Sequence, residues 1–350
     1  MGAGELTWHS ADTDPDTIET VLRELLLRAH VEEGEVAPAR VLNMIVLVRS
    51  GEIATMLERL SGVGRYAASR LLLIEVDPDA EQLEAEVAIA GQGRGAGGNE
   101  LVRETVALTV GECHMPDLRS IAASLVVSDL PTLLWSPSSA RERARPLLAL
   151  SQSVLIDSLE PASAGDAFAQ ALELSRESYV VDLSWLRTTP WRERLAAAFD
   201  RRRSALEKIT AVRIRHHHDS IPAGTLFAGW LASRLGWEEP RMGAGADGLA
   251  GSARQGRRTI ELALRADDEL PVPGLSGVTV ETEDGWRLSL DRGLGGLHAD
   301  ERRADGERRS WTVPGASRGE AGVLGAGIRQ ALLRDLTYVP ALERAREMIA

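Results

Sequence analysis

Two aspartates that end predicted strands are the residues in this sequence best placed to do chemistry. Asp157-Ser158 closes the predicted strand 153–157, and Asp182-Leu183-Ser184 closes the predicted strand 179–183. Ligands of open α/β sheets bind at the carboxyl ends of strands, where an aspartate can act as a general acid or base. Aspartate and serine are also common helix N-caps. No nucleophile–base pair accompanies either aspartate, so we favour the capping role over the catalytic one.

Aromatic and basic side chains follow Asp182 closely. Residues 180–199 look like a buried strand that turns into a helix, with Trp185 and Trp191 beside Arg187 and Arg192. The chain holds 8 tryptophans against 3 phenylalanines and 3 tyrosines. Tryptophan often anchors protein interfaces, and its N–H needs a partner when half-buried. Core packing explains the same residues, so an interface role and a core role both stay open.

The glycine-rich segment 91–98 is a candidate phosphate loop. Such a loop must follow a strand and open a helix, so that backbone N–H groups and the helix dipole meet the phosphates. Here the next segment, 101–110, alternates like a strand, with Val106, Leu108 and Val110 on one face. We therefore favour a flexible hairpin loop between two strands over phosphate binding, and we predict no cofactor.

Three consecutive histidines, His216, His217 and His218, follow another predicted strand. Side chains alternate along a strand, so only His216 and His218 can chelate as a pair. Asp219 is the one adjacent carboxylate, and no further group at ligand spacing completes a zinc set. We predict a polar strand end here and no metal site.

Residues that most enzyme classes require are missing from the sequence. Lys208 is the only lysine, and its neighbours do not form a phosphate loop. Neither a His-Glu-x-x-His nor a Walker A motif occurs. We therefore predict that the chain is not an enzyme.

Composition restricts the partners and the compartment. The 350 residues are 44% hydrophobic and 26% charged, and the net charge of −12 argues against nucleic-acid binding. Cys113 is the only cysteine, which excludes an internal disulfide. The sequence shows neither a signal peptide nor an apolar stretch that could span a membrane, so we expect a cytoplasmic protein that binds no membrane.

Hydrophobic periodicity predicts a mixed α/β fold. An N-terminal helix after Asp14-Pro15 precedes a sheet, followed by central strand–helix alternation with parallel strands, and then by antiparallel strands and closing helices. The predicted strands are 41–48, 71–76, 84–90, 101–110, 132–135, 153–157, 179–183, 211–215, 258–264, 277–283, 286–290 and 308–313. The predicted helices after the first are 51–60, 118–125, 141–150, 164–174, 190–199, 224–235, 319–333 and 341–349.

The length suggests two α/β domains, which we place at 1–175 and 176–350. A glycine-rich mobile loop is expected at 243–251 in the second domain. Asp284-Gly285 between alternating segments is a strong hairpin signal.

Four ordered segments resemble one known family. They are 130–137 (LPTLLWSP), 154–158 (VLIDS), 182–192 (DLSWLRTTPWR) and 229–237 (GWLASRLGW). Their arrangement is similar to that of the glucose-6-phosphate dehydrogenase assembly protein family, OpcA. The resemblance implies a non-enzymatic assembly factor and allosteric activator that binds the glucose-6-phosphate dehydrogenase oligomer in the oxidative pentose phosphate pathway. The family's Leu-Trp segment often continues with a second tryptophan, where this chain has Ser136.

On this resemblance the candidate partner-binding residues are Asp182, Trp185, Arg187, Trp191, Arg192 and Trp135. Asp182 is expected to orient the turn, and the others to contact the partner or support the site. The alternative is an enzyme or sensor that binds a phosphosugar or nucleotide at the edge near Asp157 and Asp182. In that case Arg187 and Arg192 would clamp the phosphate.

Overall fold

Two eight-stranded sheets organise the chain. The structure, a computed structural model, describes residues 6–33, 41–63, 69–94, 100–137, 142–200, 202–314 and 319–350. These residues form two compact units. The first contains the chain up to Ile156 with 178–181 and 324–333, and the second contains 157–177, 182–323 and 334–350.

The first sheet has strands β1 to β8 in the order β1-β4-β5-β3-β2-β6-β7-β8. The elements up to β8 are β1 Leu6–Ser10, α1 Pro15–Glu33, β2 Leu42–Arg49, α2 Ile53–Ser61, β3 Ser69–Val76, β4 Glu84–Arg94, β5 Glu100–Val110, α3 Leu118–Leu125, β6 Thr132–Trp135, β7 Ser153–Ile156, α4 Ala164–Leu174 and β8 Tyr179–Asp182, with 3₁₀ helices Glu112–Asp117 and Arg145–Leu150. Strand β2 runs parallel to both of its neighbours, β3 and β6. Strand β3 also runs parallel to β5, and β6 runs parallel to β7. The parallel arrangement predicted for the central strands is confirmed for β6 and β7.

Local sequence explains the first elements. The Asp14 carboxylate accepts the N–H groups of Asp16 and Thr17, each at 3.0 Å, and so caps α1. The apolar stripe of α1 buries Ile18, Leu22 and Leu25 against the sheet. Seven of the eight residues of β2 are buried, as expected for a strand covered on both faces.

The second unit carries the other sheet, in the order β10-β11-β12-β9-β13-β14-β15-β16. Its remaining elements are α5 Leu183–Arg187, α6 Thr189–Asp200, α7 Arg203–Leu206, β9 Ile209–His216, α8 Ile221–Leu235, β10 Glu238–Gly245, β11 Gly248–Gln255, β12 Arg258–Ala266, β13 Leu275–Thr282, β14 Arg287–Gly293, β15 Gly296–Arg302, β16 Arg308–Pro314 and α10 Tyr338–Ile349, and α9 spans Gly319–Gln330. The predicted hairpin at Asp284-Gly285 is confirmed, since β13 and β14 pair antiparallel and Gly285 has φ +80°.

The mobile loop expected at 243–251 is wrong, because these residues form the hairpin of β10 and β11. Gly245 pairs with Gly248 across a two-residue turn, and Gly248 has φ +134°. A Cβ on Gly251 would lie 1.9 Å from the carbonyl oxygen of Arg241. The glycines therefore permit a close pairing of two strands, a use of glycine that composition does not distinguish from mobility.

Other local predictions also needed correction. The helix predicted at 141–150 is a 3₁₀ helix from Arg145 to Leu150, preceded by a turn. The helix predicted at 51–60 is α2, which buries Met56 and Leu60 and exposes Leu57. Strand β9 joins the second sheet, where it pairs parallel with β12 and antiparallel with β13.

Four strands were not predicted, namely β1, β10, β11 and β15. The prediction that the segment 91–98 joins two strands is confirmed, since β4 and β5 pair antiparallel up to Arg94 and Glu100. Of the flexible loop predicted at 91–98, residues 91–94 belong to β4, and the rest lies outside the described residues.

Candidate functional site

The predicted site edge forms a buried polar cluster in the second unit, centred on Asp182. Asp182 accepts the N–H of Ser184 at 2.9 Å and so caps α5. It also accepts the N–H of Ser158 at 3.1 Å, the Ser158 hydroxyl at 2.6 Å and the Tyr338 hydroxyl at 3.0 Å. The capping role of Asp182 is therefore confirmed, and both of its oxygens are hydrogen-bonded.

Burial, and after it the negative charge of Asp157, raise the pKa of Asp182 to about 6. The hydrogen bonds from Ser158 and Tyr338 act in the opposite direction. Ionisation of the Asp182 carboxyl group is therefore unfavourable at this buried position. Its hydrogen-bond donors, from Ser158, Ser184 and Tyr338, are all uncharged.

Asp157 is paired with a buried arginine. The Arg187 guanidinium donates to both oxygens of Asp157, at 2.9 and 2.8 Å, and to both oxygens of Glu320, at 3.1 and 2.7 Å. Asp157 also accepts the Ser184 hydroxyl at 2.7 Å. Burial alone would lower the pKa of Arg187, but the hydrogen bonds to Glu320 and Asp157 raise it above its usual range.

Trp185 and Arg192 form a second part of the cluster. The guanidinium carbon of Arg192 lies 3.5 Å from the Trp185 ring centroid, in cation–π contact. Trp185 Nε1 donates to Asp335 at 2.8 Å, and Arg192 donates to the hydroxyls of Thr188 and Thr189, each at 3.0 Å. Burial lowers the pKa of Arg192 to about 10.

The two other predicted residues lie in cores. Trp191 is 1% exposed and packs with Leu195 and Phe199 against the second sheet. Trp135 is 0% exposed and lies in the first unit, under the guanidinium of Arg59 at 5.0 Å. The structure therefore brings together Asp182, Trp185, Arg187 and Arg192, while Trp191 lies in the core on α6, the helix that carries Arg192.

The arrangement limits what the cluster can do chemically. The hydroxyls of Ser158 and Ser184 donate to carboxylates, and both arginines contact groups of the chain itself. A phosphate clamp by Arg187 would have to replace Asp157 or Glu320. Within the described residues, the cluster is a self-satisfied network that fixes the turn between β8 and α6.

Three members of the network were missed by sequence reasoning: Glu320, Asp335 and Tyr338. Each is more than 130 residues away in sequence from its partner, so no local pattern links them. Asp335 did carry a local signal. It caps the following turn by accepting the N–H and the hydroxyl of Thr337, at 2.9 and 2.6 Å.

The histidine triplet forms a separate group. His216 is 3% exposed, and its Nδ1 lies 2.8 Å from the His217 carbonyl oxygen, whereas the His218 side chain is 56% exposed. The pair of His216 and His218 is therefore not formed. Ligand atoms of His217, His218 and Asp219 lie within 4.8 Å of one another and could hold a cation.

None of the helices in the described ranges is both long enough and apolar enough to cross a membrane.

Two family models match the chain. One describes the C-terminal domain of a glucose-6-phosphate dehydrogenase subunit and matches residues 178–342. These residues include the turn between β8 and α6, which we call the Asp182 turn. The other describes the N-terminal domain of such a subunit and matches residues 62–174. Together they cover most of the chain.

Curated relatives share the same name. The chain is similar to OxPP cycle protein OpcA of Synechococcus elongatus, with 27% identity over 141 residues, which are 39% of this chain and 32% of that protein. It is similar to the Nostoc punctiforme protein of that name, with 33% identity over 123 residues, which are 33% of this chain and 26% of that protein. The match thus spans about a third or less of the relatives' length.

Among solved structures, the chain is similar to KijD10, a 3-ketoreductase from Actinomadura kijaniata in complex with NADP. The identity is 11%, the TM-score is 0.49, and the match covers 87% of this chain and 95% of that chain. With a TM-score under 0.5, this likeness supports no conclusion about function.

Proposed function

This chain belongs to the glucose-6-phosphate dehydrogenase assembly protein family, OpcA, and from that membership we propose that it binds the glucose-6-phosphate dehydrogenase oligomer and raises its activity. The single observation that carries the proposal is the match of the two family models along most of the chain. The proposed role is non-enzymatic, and the pathway is the oxidative pentose phosphate pathway.

The chemistry of the Asp182 turn supports a binding role. Its carboxylates, hydroxyls and arginines are engaged with one another, which favours a rigid scaffold over a catalytic centre. We assign Asp182, Trp185, Arg187 and Arg192 to the support of a partner-binding surface, with Trp191 beneath them. Trp135 is assigned a supporting role in the first unit.

Activation requires a difference in affinity between two states of the dehydrogenase. A regulator shifts an equilibrium only by binding the active state more tightly than the inactive one. A tenfold preference corresponds to about 1.4 kcal/mol of coupling, which a modest interface can supply.

Complex formation is tested by light scattering after size-exclusion chromatography. The full chain is mixed with the dehydrogenase of the same organism and compared with each protein alone. A new species that contains both proteins is expected. Two unchanged peaks at micromolar concentrations would refute the proposal.

Calorimetry of the isolated chain tests the alternative of a phosphosugar or nucleotide sensor. Glucose 6-phosphate and NADP are titrated separately into the protein. We expect that neither ligand binds with a dissociation constant in the micromolar range or below. Tight binding of either ligand to the isolated chain would favour the alternative.

A further inference from the structure

The second sheet has one face that the helices do not cover. Its inner face carries the core residues Val212, Ile214, Val278 and Val280, among others. The alternate residues point outward, and Arg213, Glu261 and Asp300 among them are exposed. We call this surface the outer sheet face, meaning the outward-facing residues of β9 to β16.

The outer sheet face is densely charged. Its charged residues are the arginines Arg213, Arg215, Arg241, Arg254, Arg265, Arg287, Arg302 and Arg308 and the carboxylates Glu238, Glu261, Glu281, Asp291 and Asp300. Carboxylates at the margin of the face pair with three of these arginines: Glu239 with Arg254, Asp267 with Arg215 and Asp247 with Arg265. The charge of the face is therefore balanced over most of its area.

Three arginines on this face lie directly opposite one another. Arg287 pairs with Arg302 across β14 and β15, and Arg302 pairs with Arg308 across β15 and β16. Like charges at directly opposed positions destabilise a sheet. Arg287 lies 3.6 Å from Glu281, but within the described ranges neither Arg302 nor Arg308 has an ion pair. The row costs stability in the isolated chain, and an anionic surface would offset that cost.

The size of the face suits a protein partner. Eight strands about 4.8 Å apart, with about seven residues each at about 3.4 Å, give a surface of roughly 34 by 24 Å, or about 800 Å². A stable protein interface buries about 800 Å² on each partner. A cavity of about 360 Å³ on the same strands, lined in part by Asp291, His298 and Asp300, can receive a neutral or basic side chain of the partner.

We infer that the outer sheet face docks a carboxylate-rich surface of the dehydrogenase, with the row of Arg287, Arg302 and Arg308 as its electrostatic anchor. The inference rests on the proposed function and adds the contact surface to it. A second copy of this chain is a poorer occupant, because it would present the same arginine row and no carboxylate-rich surface that complements it.

The test is a charge reversal with a matched control. The double variant Arg302→Glu with Arg308→Glu is compared with Arg119→Glu with Arg346→Glu, which changes the net charge equally at exposed arginines on α3 and α10. Binding to the dehydrogenase is measured by biolayer interferometry at several salt concentrations. The variants on the outer sheet face are expected to bind at least about tenfold more weakly, mainly through slower association, and the control within about twofold.

Salt dependence provides a second readout. Wild-type binding should weaken as salt rises through about 0.15 M, where the screening length is about 8 Å, and the face variant should lose most of this dependence. The milder pair Arg302→Gln with Arg308→Gln should give an intermediate loss. The glutamine pair should melt no lower than wild type, because repulsion within the row is relieved, whereas the glutamate pair keeps like charges opposed at positions 302 and 308.

The outcomes separate the inference from the proposed function. If wild type binds and the face variants bind equally well, the docking surface is wrong and the proposed function stands. If wild type does not bind the dehydrogenase, the proposed function itself fails. If the face variants bind the dehydrogenase normally but lose a self-association seen in wild type, the occupant is a second copy and the inference is overturned.

Discussion

The Arg192 guanidinium stacks on the Trp185 ring in the second unit, with the guanidinium carbon 3.5 Å from the ring centroid. Trp185 is in turn tied to Asp335, which precedes α10. The stack therefore joins the turn after β8 to the C-terminal helix. Hydrogen bonds through Asp335 and Tyr338 make α10 part of the same scaffold.

Trp185→Phe should destabilise the protein by about 1–3 kcal/mol, because it keeps a ring under Arg192 but removes the N–H that Asp335 accepts. The free energy of unfolding is measured by urea denaturation. Trp230→Phe is the matched control, since Trp230 is half-buried and its N–H makes no hydrogen bond within the described residues. Equal losses in the two variants would contradict a specific role for the Trp185–Asp335 bond.

Arg187→Met should cost about 3–5 kcal/mol of stability, because it leaves the buried Asp157 carboxylate without its cation. Glu320→Gln is the comparison, since the Glu320 side chain is 51% exposed and should cost no more than about 1 kcal/mol. Chemical denaturation of both variants measures the free energy of unfolding and shows which variant loses more of it. A smaller loss for Arg187→Met than for Glu320→Gln would show that Asp157 does not depend on this pair.

Asp182→Asn should change how stability depends on pH. The pKa of Asp182 is raised to about 6 in the folded state by burial and by the Asp157 charge, from an ordinary value of 3.8. The folded state therefore holds the proton more tightly. The stabilisation due to this group is complete below pH 3.8 and is lost as pH rises to about 6.

The size of that loss is up to about 3 kcal/mol, from two pKa units at about 1.4 kcal/mol each. The stability of wild type relative to Asp182→Asn should thus fall between pH 4 and pH 7, as measured by urea denaturation at each pH. The asparagine can still accept from Ser158 and Ser184, so the variant should fold. A difference that is constant or that rises with pH would contradict the raised pKa.

Trp191→Ala should weaken activation of the dehydrogenase, because it opens a large cavity beneath the Asp182 turn and costs about 3–5 kcal/mol. Trp191→Phe retains most of the buried ring and should activate nearly as wild type does. Activation is measured as dehydrogenase rate against added protein, with the folded fraction followed by circular dichroism. A folded Trp191→Ala that activates normally would count against this support role.

Much of the fold followed from local pattern. Helix α1, the buried strand β2 and the stripe of α3 were predictable because apolar spacing and capping residues act within a few residues. The hairpin of β10 and β11 could not be predicted in this way, because its glycines permit close strand pairing and the composition suggested a mobile loop. The placement of β9 depends on pairing with β12 and β13, which lie far along the chain.

The candidate site was only partly predictable. Asp157, Asp182, Trp185, Arg187 and Arg192 do gather at the ends of β7 and β8, as expected from parallel strands. Their partners Glu320, Asp335 and Tyr338 come from α9, the loop before α10 and α10 itself, so sequence spacing could not reveal that the arginines are already engaged. The burial of Trp135 and Trp191 likewise depends on tertiary packing.

The central claim is tested most directly by titrating this protein into its dehydrogenase at a fixed, subsaturating concentration of glucose 6-phosphate and recording the rate of NADPH formation. We predict a saturable increase in rate, with no rate from this protein alone. A dehydrogenase rate that stays unchanged up to a large molar excess, or NADPH formation by this protein without the dehydrogenase, would contradict the claim.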